Sequence, residues 1–342
     1  MRQLWHVETG RYAWSEVRDP VISEPEQALV RPLSVACCDL DVGVCAGRLP
    51  MPPGYAVGHE GVAEVVAVGE GVHSVRVGDM VIVPFQLSCG SCRECRRGVT
   101  GSCGSLPSMA MYGMGPIAGM DGGGFMADLV LVPFADAMLI PVPPGVDPVA
   151  IASLSDNIPD GWRAVGPFAH ELAGLDKIDR RVLVVGRLSI GLYAAAFGVA
   201  LGTHVDYVDT DPLRLSVAEK LGATVHDQPK PAKEWEPYPV TVNTSADPPL
   251  LAATLRATWP DGVCTDTGIY FQPGIEMALL RLYTRGVRFV TGRVNARPAI
   301  PQVLDLIAAG CDLSPVVDRV VAWNDAPSVW PMMTGKTVFT RS

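Results

Sequence analysis

The sequence predicts an α/β protein of two domains, the first mostly β and the second a doubly wound parallel sheet. Three observations carry this. A chain of 342 residues is long enough for two domains that each bury a core. Roughly the first 150 residues break into short Val-rich or alternating runs bounded by Gly and Pro, the texture of a compact β domain. After Pro159, strand-like segments alternate with helical ones, which argues for βαβ units on a parallel sheet.

The elements follow in order. Strands are expected at residues 28–30, 61–68 and 79–84. In the second domain strands at 181–186, 204–209, 240–244, 262–268 and 287–292 are interleaved with helices at 190–201, 212–221 and 249–258. Residues 227–239, rich in proline and scattered charge, read as an exposed loop. From Asn295 the pattern is mixed and ends in the strand-like Thr337-Val338-Phe339-Thr340.

Hydrophobic residues make up 48% and charged residues 18%, an ordinary globular balance rather than a disordered one. The formal net charge of -9 argues against binding nucleic acid or an anionic membrane through bulk charge. Phosphates of a small cofactor are still accessible to backbone amides. No apolar run approaches the roughly 20 residues that span a bilayer, and the N-terminus lacks a signal-peptide pattern. A soluble, cytoplasmic protein is expected.

Of nine cysteines, four crowd into one segment: Cys89, Cys92, Cys95 and Cys103 form C-x2-C-x2-C-x7-C. Thiolates at this spacing, in a chain without a secretory signal, match the all-sulfur tetrahedron of structural zinc. An iron–sulfur cluster also takes four cysteines. The intervening glycines let the chain wrap tightly around an ion. This spacing, lying shortly after Gly58-His59-Glu60 and Gly78-Asp79, resembles the lobe of the zinc-containing medium-chain dehydrogenases, close in pattern to formaldehyde- and threonine-dehydrogenase-like members. The resemblance runs over essentially the whole chain, from Ala28 to Thr340. It implies a GroES-like catalytic domain at residues 1–159 and 295–342, with the zinc lobe at about 86–106, and a Rossmann NAD-binding domain at 160–294.

The resemblance also implies a catalytic zinc with ligands from three places. Ala28-Leu29-Val30-Arg31 leads without gaps to Cys38-Asp39-Leu40-Asp41, so Cys38 matches the ligand and Asp41 the carboxylate that supports the ligands from behind; Cys37 would need a shift that loses the aspartate. His59 in Gly58-His59-Glu60-Gly61 is the second ligand, with Glu60 beside the metal, able to tune or transiently replace a ligand. Asp156 in Ser153-Leu154-Ser155-Asp156 is the third, its plainer alternative being a helix N-cap ahead of Pro159. The family's hydroxyl relay two residues after the cysteine is Leu40 here, and its relay histidine is Gly43. Asp39, Glu60 or a water would have to carry the proton instead.

A buried strand ending at Gly186 and a helix opening at Ser189 mark the cofactor turn, Gly186-Arg187-Leu188-Ser189-Ile190-Gly191. It matches G-x-G-x-x-G except that Leu188 replaces the central glycine, which lets the pyrophosphate approach in relatives. Arg187 reads as a phosphate contact or a solvated charge. Asp209, 18 residues after Gly191, stands near the place of a ribose-binding carboxylate, and Arg214 is expected against the adenine. Together these imply a zinc- and NAD-dependent dehydrogenase, with two zinc ions per chain, acting on an alcohol, aldehyde or ketone as a homodimer or homotetramer. Its rivals are a reductase of activated double bonds on the same fold and a zinc-stabilised binding protein with a decayed site.

Overall fold

Two contact-dense units organise the chain in the computed structural model, which describes residues 1–49, 51–187 and 189–341. The first unit comprises Met1–Pro159, Asn295–Leu304 and Val317–Ser342; the second comprises Asp160–Val294 and Asp305–Val316. The sequence places all of 295–342 in the first domain, whereas 305–316 fall in the second unit. There, the turn Ser314–Val316 packs on the helices Ser189–Ala200 and Pro212–Lys220.

The first unit is built on β structure. Its main sheet runs Ile140–Pro141, Met80–Val83, Glu60–Val68, Ala28–Ala36, Thr337–Thr340, Arg319–Ala322, with Val130–Val132 also pairing to Ala28–Ala36. The two central strands are antiparallel, and their register slips at Pro32, where a residue without an N–H is tolerated at a bulge. Inward residues alternate as the period of two requires: Ala28, Val30, Ala63, Val65, Val81 and Val83 are buried and meet Phe125, Trp330 and Phe339 in one core. The C-terminal strand Thr337–Thr340 lies antiparallel to Ala28–Ala36, so the end of the chain is stitched beside the segment that leads to Cys38.

The second unit holds a six-stranded parallel sheet in the order Thr224–Asp227, His204–Asp209, Arg181–Val185, Tyr238–Asn243, Thr258–Asp266, Arg288–Thr291. This is the doubly wound order 3-2-1-4-5-6, which reverses direction between the first and fourth strands. The first strand is apolar because both its faces are covered. The helices start as their sequences demand: Asp211 and Asp247 cap the helices Pro212–Lys220 and Pro248–Arg256, each with proline in its first turn. Residues 227–239 are less exposed than their composition suggests. Trp235 packs against the apolar cluster that includes Leu183, Val208 and Tyr238 and meets the His226 ring, and the strand Tyr238–Asn243 begins inside the segment. No helix among the described residues is long and apolar enough to cross a membrane.

Candidate functional site

The cysteine lobe is folded as a cage. Gly90 and Gly98 take φ of 73° and 78°, which turns the chain back on itself around the short helix Arg93–Arg96. The sulfurs of Cys89, Cys92, Cys95 and Cys103 all lie within 4.8 Å of one another. Cys92 Sγ and Cys103 Sγ are 4.0 Å apart, close to the roughly 3.8 Å edge of a tetrahedron of zinc thiolates and far beyond an S–S bond of about 2.05 Å. All nine cysteines are free thiols. Backbone amides point at the sulfurs: Cys92 N donates to Cys89 Sγ, Cys95 N and Gly104 N to Cys92 Sγ, and Cys89 N to Cys103 Sγ. Burial opposes ionisation of Cys89, but hydrogen bonds from Ser105 and Ser91 outweigh it and hold that thiol down at about 5. Burial pushes Cys95 up to about 12 and raises Cys103 as well, so two sulfurs are readied as thiolates by N–H and O–H donors and two would ionise on meeting a cation, a set that fits a divalent metal.

A second cluster forms where three segments of the first unit converge. The strand Ala28–Ala36 delivers Cys38, which caps the helix Asp39–Cys45: its sulfur accepts from Leu40 N at 3.2 Å, while Asp41 reaches back to Cys38 N at 2.9 Å. His59 stands just ahead of the strand Glu60–Val68. Gly58 before it has φ of 90° and lies where a Cβ would come within 2.9 Å of Met126 N. Asp156 follows the turn Ala152–Ser155, held against the strand by Ser155, whose hydroxyl accepts from Gly61 N at 2.9 Å.

The ligand atoms of Cys38, His59 and Asp156 lie within 4.8 Å of one another. His59 Nε2 is 3.5 Å from Asp156 Oδ2, and Nδ1 faces Asp41 Oδ2 at 4.0 Å. Nδ1 has no hydrogen-bond partner although it is buried. Burial pushes the Cys38 thiol well above its ordinary range. Burial also disfavours a charged His59, yet Asp41 and Asp156 outweigh it and carry the ring up to about 9. A thiol, an imidazole and a carboxylate thus converge on one point with a further carboxylate, Asp41, behind the ring, the donor set of a metal site rather than of a packed core.

Glu60, expected beside the metal, has partners of its own. It is fully buried, and its carboxylate turns to Ser153 Oγ, to Lys336 Nζ at 3.1 Å and to Asn157 N at 3.3 Å. Burial drives this carboxyl up to about 8 even with Lys336 opposing it. Asp156 lies between the preceding turn and the helix Asn157–Val165, with its backbone at φ −148° and ψ −78°, and its side chain faces His59.

In the second unit, the turn after Arg181–Val185 abuts the helix Ser189–Ala200 at the carboxyl end of the sheet. Gly186 has no room for a side chain, since a Cβ there would stand 2.2 Å from the Tyr207 hydroxyl; at Gly191 a Cβ would come within 3.3 Å of Gly186 Cα. Ser189 and Ile190 open the helix and are buried. Leu188 lies outside the described residues. Arg187 is half exposed, 3.8 Å from Asp247, so its partner here is a carboxylate. Asp209 ends the second strand, but its carboxylate is gripped by Arg214, with Nε 2.7 Å from Oδ2 and Nη2 3.0 Å from Oδ1. Arg214 thus pairs with Asp209 instead of lying free beside an adenine position.

Comparison with known proteins fits this geometry. Residues 24–144 match the model of the alcohol dehydrogenase GroES-like domain. The medium chain reductase/dehydrogenase ucsI of an Acremonium species is 30% identical over 213 residues, 62% of this chain and 70% of that protein. The chain belongs to the medium-chain dehydrogenase/reductase family. Within the family, the glutathione-independent formaldehyde dehydrogenase of Pseudomonas aeruginosa is 33% identical over 238 residues, 66% of this chain. That match spans 56% of the relative's length. The alcohol dehydrogenase TADH of Thermus sp. ATN1 superposes with a TM-score of 0.88 at 26% identity, covering 100% of both chains.

Against this family background, the three separated motifs come together as one cluster, and the four cysteines as another. Ser153 and Asn157 flank Asp156 in its own motif, whereas Lys336 carries no sequence signal that ties it to the cluster. A lysine in Gly335-Lys336-Thr337 before an apolar strand looks like any solvated charge, yet this one is buried.

Proposed function

We propose that the chain is a zinc-dependent, NAD-linked oxidoreductase that interconverts an alcohol and its aldehyde or ketone. The observation that carries this is the convergence of Cys38 Sγ, a His59 nitrogen and an Asp156 oxygen within 4.8 Å, a thiolate–imidazole–carboxylate set of the kind that leaves a fourth position open on zinc. Zinc there would act as a Lewis acid on a bound alcohol or carbonyl, and the nicotinamide would take or give the hydride. Asp41 faces Nδ1 of His59 across 4.0 Å, where its charge would favour a proton on that nitrogen and leave Nε2 for the metal. Cys89, Cys92, Cys95 and Cys103 would hold a second, structural zinc.

The turn from Gly186 to Gly191 would seat the pyrophosphate at the helix N-terminus, with Asp209 on the ribose favouring NAD over NADP. Metal-binding thiolates and unpaired cysteines suit a reducing compartment such as the cytoplasm. Leu40 and Gly43 favour a second reading, a reductase of activated double bonds, because neither can pass a proton outward.

The deciding experiment assays protein of measured zinc content against a panel of alcohols, aldehydes and enones, following NADH absorbance. Turnover of an alcohol–aldehyde pair with two zinc ions per chain is expected. Turnover of enones alone would transfer the assignment to the reductase. NADH binding without turnover of anything would make this a binding protein.

A further inference from the structure

One buried cation touches every segment of the Cys38–His59–Asp156 cluster. Lys336 Nζ donates to Cys37 O at 2.7 Å, to Asn157 Oδ1 at 2.8 Å and to Glu60 Oε2 at 3.1 Å. Each acceptor belongs to the chain neighbour of one member of the cluster: Cys37 precedes Cys38, Glu60 follows His59, and Asn157 follows Asp156. The lysine reaches them across 299, 276 and 179 residues respectively. No local conformational preference produces such a meeting.

Nor is the lysine placed there by packing convenience. Its side chain is 2% exposed, and an ammonium is costly to desolvate unless its surroundings return the lost hydration. Its backbone is fixed by the last strand: Lys336 O accepts from Asp318 N, while Thr337 N donates to Cys37 Sγ and Thr337 O accepts from Cys37 N. The strand Thr337–Thr340 therefore drives Nζ into the space between the three segments.

We propose that Lys336 is a positioning residue that assembles the catalytic metal site before metal arrives. Resting on the zinc reading above, the inference assigns the lysine two effects. It holds the three ligand-bearing segments in register, so the ligands need not be ordered by the ion. It also holds the Glu60 carboxylate, together with Ser153 and Asn157 N, away from the ligand position. Without Lys336, Glu60 is an unrestrained buried anion next in sequence to His59 and would enter the coordination sphere.

The test uses the full chain as Lys336→Met, Lys336→Arg and Lys336→Met/Glu60→Gln, with metal content, cobalt absorption and amide exchange as readouts. The four-cysteine site is the internal reference. Lys336→Met is expected to keep one tightly held metal and to weaken the second by roughly 10–100-fold, the range for lost outer-shell partners. Cobalt in its weakened site should lose absorption intensity as a further oxygen ligand joins the tetrahedral set. Adding Glu60→Gln should restore the intensity, and Lys336→Arg should retain it. In unmodified protein stripped to one metal per chain, the amides of Cys37, Gly61 and Asn157 should exchange as slowly as in the loaded protein.

Unchanged affinity and cobalt spectrum in Lys336→Met would overturn the proposal. So would fast exchange in the stripped unmodified protein, a measurement that does not depend on any variant folding. A single zinc per chain in the unmodified protein would instead fail the functional reading itself.

Discussion

Asp156 reaches His59 because of a backbone event rather than a helical face. The turn Ala152–Ser155 ends at Asp156 with φ −148° and ψ −78°, and Ser155 pins the turn to Gly61 on the neighbouring strand. The carboxylate is thereby aimed at Nε2 and held by Asn157 Nδ2 at 3.1 Å. Asn at this position keeps the shape but removes the charge that a zinc ligand supplies. Asp156→Asn is expected to lose one of two zinc ions, lower turnover by more than about 100-fold and leave NADH binding intact; full activity with two zinc ions would move the third ligand elsewhere. That Cys38, His59 and Asp156 come together was legible because each sits in a short local pattern. Cys37 is engaged elsewhere: its sulfur accepts from Thr337 N and donates to Gly335 O, at the start of the last strand. Lys336 was not legible, because its meaning depends on partners hundreds of residues away.

At the scale of elements, the strand–turn–helix around Gly186 and the strand ending at Asp209 were readable from glycine spacing and a carboxylate at the expected distance. The Arg214 side chain was not, since its reach depends on the Asp211-capped helix turning it back across the loop. Its effect is concrete. Asp209 Oδ1 accepts from Thr210 N, Asp211 N and Arg214 Nη2, and Oδ2 accepts from Arg214 Nε and the Tyr207 hydroxyl. A carboxylate offers about four lone-pair sites, so a ribose diol can bind only if Arg214 lets go. The guanidinium also offsets the charge that would repel a 2′-phosphate. Arg214→Met is therefore expected to sharpen the preference for NADH over NADPH, and Asp209→Ala to relax it by about tenfold or more. Fluorescence titration of both cofactors measures this. A loss of NADH binding in Arg214→Met without any gain in discrimination would return Arg214 to a direct cofactor contact.

Across the whole molecule, the alternation of buried strands and helices was legible because a parallel sheet covered on both faces writes nearly continuous apolar runs. What the pattern hid is the segment 268–292, whose composition looks like ordinary core. Instead Ile269, Phe271, Leu279, Leu280 and Tyr283 are exposed, Tyr283 by 84%, and the helix Leu279–Arg285 buries none of its residues. They adjoin Arg288–Thr291, the strand at one open edge of the six-stranded sheet. An open edge beside clustered apolar side chains is a liability in a lone chain and a template for pairing in an assembly. A second copy related by a two-fold axis satisfies both needs at once: the edge strands pair antiparallel and each apolar helix is covered by the other chain. The protein is therefore expected to sediment as a dimer or a multiple of one at micromolar concentration. Leu280→Glu with Tyr283→Glu places charges in that contact and should yield a folded monomer with unchanged metal content, since both side chains are exposed. A monomer already in the unmodified protein, or an undisturbed dimer in the double variant, would rule out this face.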